Sequence, residues 1–155
     1  MGEPWFQQIA RNILRLHQQT TVSWLAVPQA EDTAVFNGFY VHIDGCYYFA
    51  LPHQCPRLRQ QQGIVLIEDE QAEMRLSWVG DTREVSCREY LYQTVCTALK
   101  RRGCQVDALK NSRLLELCPQ QGHLSMPNQY DSALSPQLLQ RALYPAHERL
   151  HQLVG

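Results

Sequence analysis

No apolar run in the chain is long. Runs such as Ile64–Ile67 fall far short of a bilayer's thickness. Nor is there a surplus of charge of either sign: 14 Lys+Arg stand against 15 Asp+Glu, for a formal net charge of −1. Nucleic acid or an anionic membrane would need cations concentrated on one face, so neither is an expected partner. A Cys-x-x-Cys pair is absent, which excludes zinc-ribbon and thioredoxin spacings. So are a phosphate-cradling glycine loop, a nucleophile elbow and a His-Glu-x-x-His motif, and with them the chemistries they carry. The opening Met1-Gly2-Glu3-Pro4-Trp5 has neither the basic start nor the apolar stretch of a secretory signal. These absences predict a soluble, cytoplasmic protein. At 155 residues and 45% hydrophobic composition, one domain over 1–155 can bury a core without staples.

The six cysteines stand at positions 46, 55, 87, 96, 104 and 118. Without a secretory signal their thiols are expected to stay reduced and to pack as small hydrophobes. Two are followed by proline, Cys55-Pro56 and Cys118-Pro119. Such a pair can hold a thiolate toward haem iron, because proline turns the chain away, but proline also simply ends elements.

Apolar periodicity supplies the elements. Trp5, Phe6, Ile9, Ile13 and Leu16 recur at helical spacing, predicting an amphipathic helix ending near His17, whose charge would suit the helix dipole. Thr20–Val27 reads as a strand. Ala34–Ile43 and Cys46–Leu51 flank Asp44-Gly45, two residues that accept the positive φ of a type I′ turn, so a hairpin is predicted. Gly63–Glu68 reads as a buried strand and Met74–Val85 as another, with Gly80-Asp81 as a bulge or turn. Ser86-Cys87-Arg88-Glu89 has capping-box spacing ahead of a helix with Leu91, Val95, Ala98 and Leu99 on its buried stripe. Lys100, Arg101 and Arg102 complement its far end and Gly103 stops it. Leu114–Leu117 and Gly122–Met126 are predicted as two strands separated by a Pro119–Gln121 turn. Ser135-Pro136 starts a late helix, Pro145 breaks it, and Ala146–Val154 is a further helical candidate. Five to seven strands in a meander with few crossover helices predict a mainly β protein, a small barrel with flanking helices rather than a doubly wound sheet.

The candidate chemistry is sparse. Glu68-Asp69-Glu70 cannot converge on one ion from a strand, since successive side chains alternate faces, and reads as a solvated strand end. His42, among aromatics in a strand, reads as a packed or hydrogen-bonded imidazole. His53, Arg57 and Arg59 form a basic loop after the hairpin that can hold a phosphate or a propionate, or merely solubilise. His147 and His151 are spaced i, i+4 and share a helical face. That pair is open to three readings: surface residues, partial metal ligands, or one axial ligand to haem.

The stretch Gly38-Phe39-Tyr40-Val41, the hairpin, the His53–Arg59 loop and Gly63-Ile64-Val65-Leu66-Ile67-Glu68-Asp69-Glu70 together resemble the flavin-type split-barrel superfamily. Within it they look most like the haem-utilisation branch of the HugZ/HutZ type. Leu117-Cys118-Pro119-Gln120-Gln121-Gly122 is similar to that branch's Leu-x-Pro-x-Gln-Gly turn. The resemblance implies a homodimeric split β-barrel with its cofactor at the dimer interface. The cofactor would be haem, or FMN as in the pyridoxamine-phosphate-oxidase-like relatives, where basic residues hold the phosphate. By the same resemblance His147 would be the axial ligand to haem iron, with His151 as the alternative. His53, Arg57 and Arg59 would contact the cofactor's acidic groups. Asn111 stands where haem-degrading members carry an aspartate partner for the ligand histidine, and an amide pushes less electron density toward iron. Leu124-Ser125-Met126-Pro127-Asn128 replaces a glycine-rich segment, with side chains that would narrow the gap, and Pro56 removes an amide donor from the phosphate loop. The functions implied are haem binding in haem utilisation, with oxygen-dependent haem degradation as the enzymatic extension. The alternatives are an FMN-dependent oxidoreductase and a non-catalytic interaction or regulatory module.

Overall fold

The computed structural model describes residues 3–28, 31–52, 61–105, 109–110, 112–127 and 131–144. Helix α1 (Glu3–Gln19) is followed by strands β1 (Val22–Pro28), β2 (Thr33–Ile43), β3 (Cys46–Pro52), β4 (Gln61–Asp69) and β5 (Met74–Val85). Helix α2 (Tyr90–Arg101), strands β6 (Ser112–Ser125) and β7 (Ser132–Leu134), and helix α3 (Pro136–Leu143) complete the order. The strands pair antiparallel in the order β3-β2-β1-β4-β5-β6-β7, and β3 pairs again with β6. That last pairing closes a six-stranded barrel and leaves β7 as an appendage on β6. The mainly β barrel expected from the sequence is the fold observed.

Local chemistry explains most of the elements. Asp44 (φ 49°) and Gly45 (φ 89°) take the positive φ that a tight hairpin requires. In α1, Ile9, Ile13 and Leu16 are fully buried. They join Leu25, Val65, Ile67, Leu76, Trp78, Leu115 and Leu117 from the strands, and Leu138, Leu139 and Ala142 from α3, in one core. Each large apolar side chain so buried contributes roughly 1.5–3 kcal/mol before the cost of ordering it. A second cluster lies on the outside of the wall, where Val95 and Leu99 of α2 cover Val41, Tyr48, Val85 and Leu114. Gly103 (φ 108°) follows the C-cap residue Arg102 and ends α2 as the sequence suggests. Ser135 caps α3, its Oγ accepting from the Leu138 amide at 3.3 Å.

Three local expectations are corrected. Leu114–Leu117 and Gly122–Met126 are not two strands; β6 runs unbroken from Ser112 to Ser125, through Pro119. The register of β5 against β6 shifts between Val79 and Gly80, and Pro119 sits opposite Gly80 in that bulge, where a missing amide proton costs the ladder little. The motif's last glycine has a packing reason as well: a Cβ on Gly122 would come within 2.6 Å of the Trp78 ring. Second, Ser86 does not start a helix. Glu89 accepts from the Ser86 amide at 2.7 Å, half of a capping box, yet the carboxylate is also held by Arg83 and α2 begins at Tyr90. Third, the cysteines are not all free thiols. Cys46 and Cys118, one step beyond the Tyr47–Leu117 pair and facing each other across β3 and β6 with Cα atoms 4.5 Å apart, are joined as a disulfide; Cys87, Cys96 and Cys104 are free.

Candidate functional site

Two polar clusters, one on each side of the β3 wall, hold the chemistry of the described residues. The inner one begins at His17, at the end of α1. Its Nδ1 lies 2.7 Å from the carbonyl of Ile13, so that nitrogen carries the proton, and its Nε2 accepts from the Tyr47 hydroxyl at 2.7 Å. Burial lowers its pKa to about 4, the Ile13 hydrogen bond opposes the shift, and nearby Arg102 adds to it. The imidazole is therefore neutral, and the expectation that its charge serves the helix dipole is overturned: buried beside a guanidinium, a charge there would be opposed twice.

His42, on β2, stands edge-on to the Tyr47 ring at 4.9 Å between centroids. The Tyr144 hydroxyl donates to the His42 carbonyl at 2.9 Å and lies 3.0 Å from His42 Nδ1, which must then donate to it. His42 Nε2 is left buried with a lone pair and no partner. Burial, and then His17, depress its pKa to about 3. The packed, hydrogen-bonded histidine expected from the sequence is what the structure has. Arg102 donates to the carbonyls of His17 (2.7 Å) and Thr20 and lies over the Tyr40 ring. Beside these groups is a cavity of about 240 Å³ lined by His17, Val41, His42, Ala98, Arg102, Leu143 and Tyr144.

The outer cluster is charged. Glu116 of β6 accepts from Tyr48 (2.8 Å) and from Arg83 Nε (2.9 Å) and Nη2 (3.2 Å), and Arg83 Nη1 reaches Glu89 at 2.9 Å. Both carboxylates raise the Arg83 pKa. Burial, and then the Glu116 hydrogen bond and charge, push the Tyr48 phenol up. The Cys46–Cys118 pair adjoins Glu116, with the three ligand-type atoms within 4.8 Å of one another.

A third feature is apolar. Register pairs Ala26 with Val35 and Ile64, and Trp24 with Asn37 and Leu66, so these side chains share the outward face of β1, β2 and β4. Val22 (44% exposed), Trp24 (45%), Val35 (58%) and Ile64 (44%) leave a continuous hydrophobic strip on that face. Alternation in β1 and β4 carried this signal, but it reads equally as a strand buried on both sides.

His53, Cys55, Arg57, Arg59, Asn111, His147 and His151 lie outside the described residues. Their anchors do not. Pro52 and Ser112, the described neighbours of positions 53 and 111 in sequence, are register partners on one rung. Tyr144, from which the tail continues, is hydrogen-bonded to His42, the partner of Tyr47 near the other end of β3. Five residues of strand, about 17 Å, separate these two places. Met126, in the segment that replaces the glycines, packs against the core and, with Ser125 and Pro127, also borders a cleft of about 480 Å³ beside Glu68, Asp69 and Glu70. Glu68 and Asp69 end β4 ahead of a turn, as expected for a solvated strand end.

No protein-family model matches the chain, and no curated protein matches it. Solved structures do. HutZ, the heme storage protein from Vibrio cholerae, is similar at 21% identity and TM-score 0.63 over 74% of this chain and 92% of that one. ChuZ from Campylobacter jejuni is similar at 10% identity and TM-score 0.69, over 83% of this chain but 60% of that longer one. A protein related to general stress protein 26, of the pyridoxinephosphate oxidase family, from Clostridium acetobutylicum matches at 10% identity and TM-score 0.65, over 86% and 98%. Closed through β3 and β6 and flanked by helices, the chain has the split-barrel fold that these heme-storage and pyridoxinephosphate-oxidase-family proteins share.

Proposed function

We propose that the chain is a haem-binding protein of haem utilisation that works as a homodimer in the cytoplasm. The observation that carries the proposal is the likeness of its fold to nearly the whole of a heme storage protein. Dimerisation draws support from the strip of Val22, Trp24, Val35 and Ile64, since exposed contiguous apolar surface on a barrel wall calls for a cover. It also draws support from the two anchors. Pro52 and Tyr144, which precede the basic loop and the histidine-bearing tail in sequence, sit near opposite ends of β3, and a second copy is a simple way to bring the two segments together.

The donor set fits haem in kind. Iron takes an axial imidazole, and propionates take guanidinium forks. His17 is held on both ring nitrogens within the chain; on the resemblance to the haem branch the axial role is given to His147, with His151 as the alternative, and Arg57 and Arg59 take the propionates. When bound, haem supplies redox-active iron able to engage oxygen. The chain's contribution is to fix the ring, neutralise its carboxylates and limit water at its face. Degradation of haem is the enzymatic extension of this reading, and Asn111 in place of an aspartate argues for a weaker push on iron than a carboxylate would give.

Adding haemin to the purified protein should produce a shifted Soret band, and His147→Ala should abolish that shift. An unchanged spectrum and affinity in His147→Ala would move the ligand to His151 or elsewhere. Persistence of the Soret band under ascorbate and air would make the protein a carrier rather than an oxygenase. FMN is the second reading, favoured by the equal likeness to a pyridoxinephosphate-oxidase-family structure. A yellow protein that binds FMN and ignores haemin would select it.

A further inference from the structure

The disulfide lies on the seam that closes the barrel. Cys46 opens β3 directly after the hairpin turn, and Cys118 lies across from it on β6, 72 residues later. Both are partly exposed, so a small thiol can reach them. Cys118 Sγ lies 3.4 Å from Glu116 Oε1, which gives the reduced thiol an acceptor already fixed by Tyr48 and Arg83. Both oxidation states therefore have a satisfied arrangement: a cross-strand bond, or a thiol donating to a preorganised carboxylate. In a reducing compartment the second would be the resting state, because glutathione and thioredoxin pools keep thiols reduced.

We propose that Cys46 and Cys118 form a reversible thiol–disulfide site that locks and releases the β2–β3 hairpin at the barrel seam. The oxidant is a low-molecular-weight disulfide of the glutathione class. One cysteine thiolate attacks it, giving a mixed disulfide and releasing one thiol. The second cysteine displaces the remaining glutathionyl group, giving the Cys46–Cys118 bond and a second thiol. Two protons leave the cysteines and two low-molecular-weight thiols form, so electrons and protons balance. The consequence runs through the hairpin. Its β2 strand holds Tyr144, the residue from which the tail continues, through the two bonds to His42. Locking the hairpin tip thus steadies the anchor of the tail, whichever cofactor the protein binds.

The wild-type chain, fully reduced and then treated with glutathione disulfide, provides the test. Alkylation and peptide mapping should find a Cys46–Cys118 crosslink that dithiothreitol reverses without unfolding the protein. Amides of β3 and of its β6 partners should exchange hydrogen roughly tenfold more slowly in the oxidised form than in the reduced form. Cys118→Ser should convert Cys46 into a stable mixed disulfide, since its resolving thiol is gone. A crosslink that survives dithiothreitol in the folded protein would make the bond a permanent staple and overturn the switch. Glutathionylation confined to Cys87 or Cys96, or identical hydrogen exchange in the two redox forms, would overturn it as well. So would zinc held by the reduced pair and Glu116 that blocks crosslinking, for the site would then be a metal seat.

Discussion

Tyr47 and Tyr48 are adjacent in sequence and fully or nearly buried, yet they face opposite sides of one strand and belong to opposite kinds of polar network. Tyr47 points inward, where His17, His42 and Tyr144 join it in neutral contacts between imidazoles and phenols. Tyr48 points outward, to a carboxylate that also binds a guanidinium. The difference follows from water. The inner imidazoles are largely buried and His17 has the Arg102 guanidinium nearby, so a proton on either would lose hydration and, on His17, meet a like charge. In the outer cluster the Arg83 side chain keeps 39% of its surface exposed and Glu116 11%, so both ions retain some solvent and each other. One wall thus separates imidazoles that must stay neutral from a carboxylate–guanidinium cluster that tolerates charge.

Acid should break this comparison most strongly. His17 and His42 have pKa values lowered to about 4 and about 3, whereas the unfolded chain takes up their protons near 6.5. The unfolded state therefore binds more protons below pH 6.5, and the stability these neutral imidazoles confer is present above that pH and lost as pH falls toward 4. By pH 4 the loss should be of order 3 kcal/mol for each buried imidazole, at about 1.4 kcal/mol per unit. Urea denaturation at pH 7, 5.5 and 4 measures it, and His42→Phe, which cannot take up the proton, should show a visibly shallower decline. Equal slopes in the two proteins would remove His42 from the account.

The outer cluster should fail by a different route. Glu116→Ala strips the counter-charge from Arg83 and the acceptor from Tyr48, at a cost of about 2 kcal/mol once the solvent reach of Arg83 is allowed for. Glu116→Gln should recover part of that loss by keeping an acceptor for Tyr48. Added salt should narrow the gap between wild type and Glu116→Ala, because partly exposed ion pairs are screened. Thermal melts at low and high ionic strength decide it, and a gap that salt leaves untouched would mean that packing rather than charge holds the cluster.

The sequence made the barrel's parts legible wherever one local rule sufficed: Asp44-Gly45 for the hairpin, the helical spacing of Ile9, Ile13 and Leu16, Ser135-Pro136 for the last helix. It misled where a tertiary partner overrode the rule. Pro119 reads as a break until Gly80 is seen facing it in a bulge. His17 reads as a charged helix end until burial and Arg102 are added. Cys46 and Cys118 are 72 positions apart, and nothing in their spacing announces that closure of β3 on β6 brings them together. The candidate site is another matter: the ligand and loop residues were named from resemblance, and only their anchors, Pro52, Ser112 and Tyr144, belong to the described fold.

The smallest predicted effect is the most direct probe of the two sides, because it changes one atom in each. Tyr47→Phe removes the donor to His17 Nε2 and leaves a fully sealed nitrogen without a partner, so it should cost about 1–2 kcal/mol. Tyr48→Phe removes one of several donors to Glu116, whose oxygens keep Arg83, so it should cost about 0.5 kcal/mol. Both changes keep the ring and its packing, which isolates the hydroxyl. The pair also differs in pH dependence. Protonated His17 in Tyr47→Phe would carry a buried N–H with nothing to accept it, so the acid-induced loss should steepen in that variant alone. Equal costs at pH 7, measured by urea denaturation, would mean that the hydroxyl's surroundings do not distinguish the two faces and that the neutral and charged networks are interchangeable.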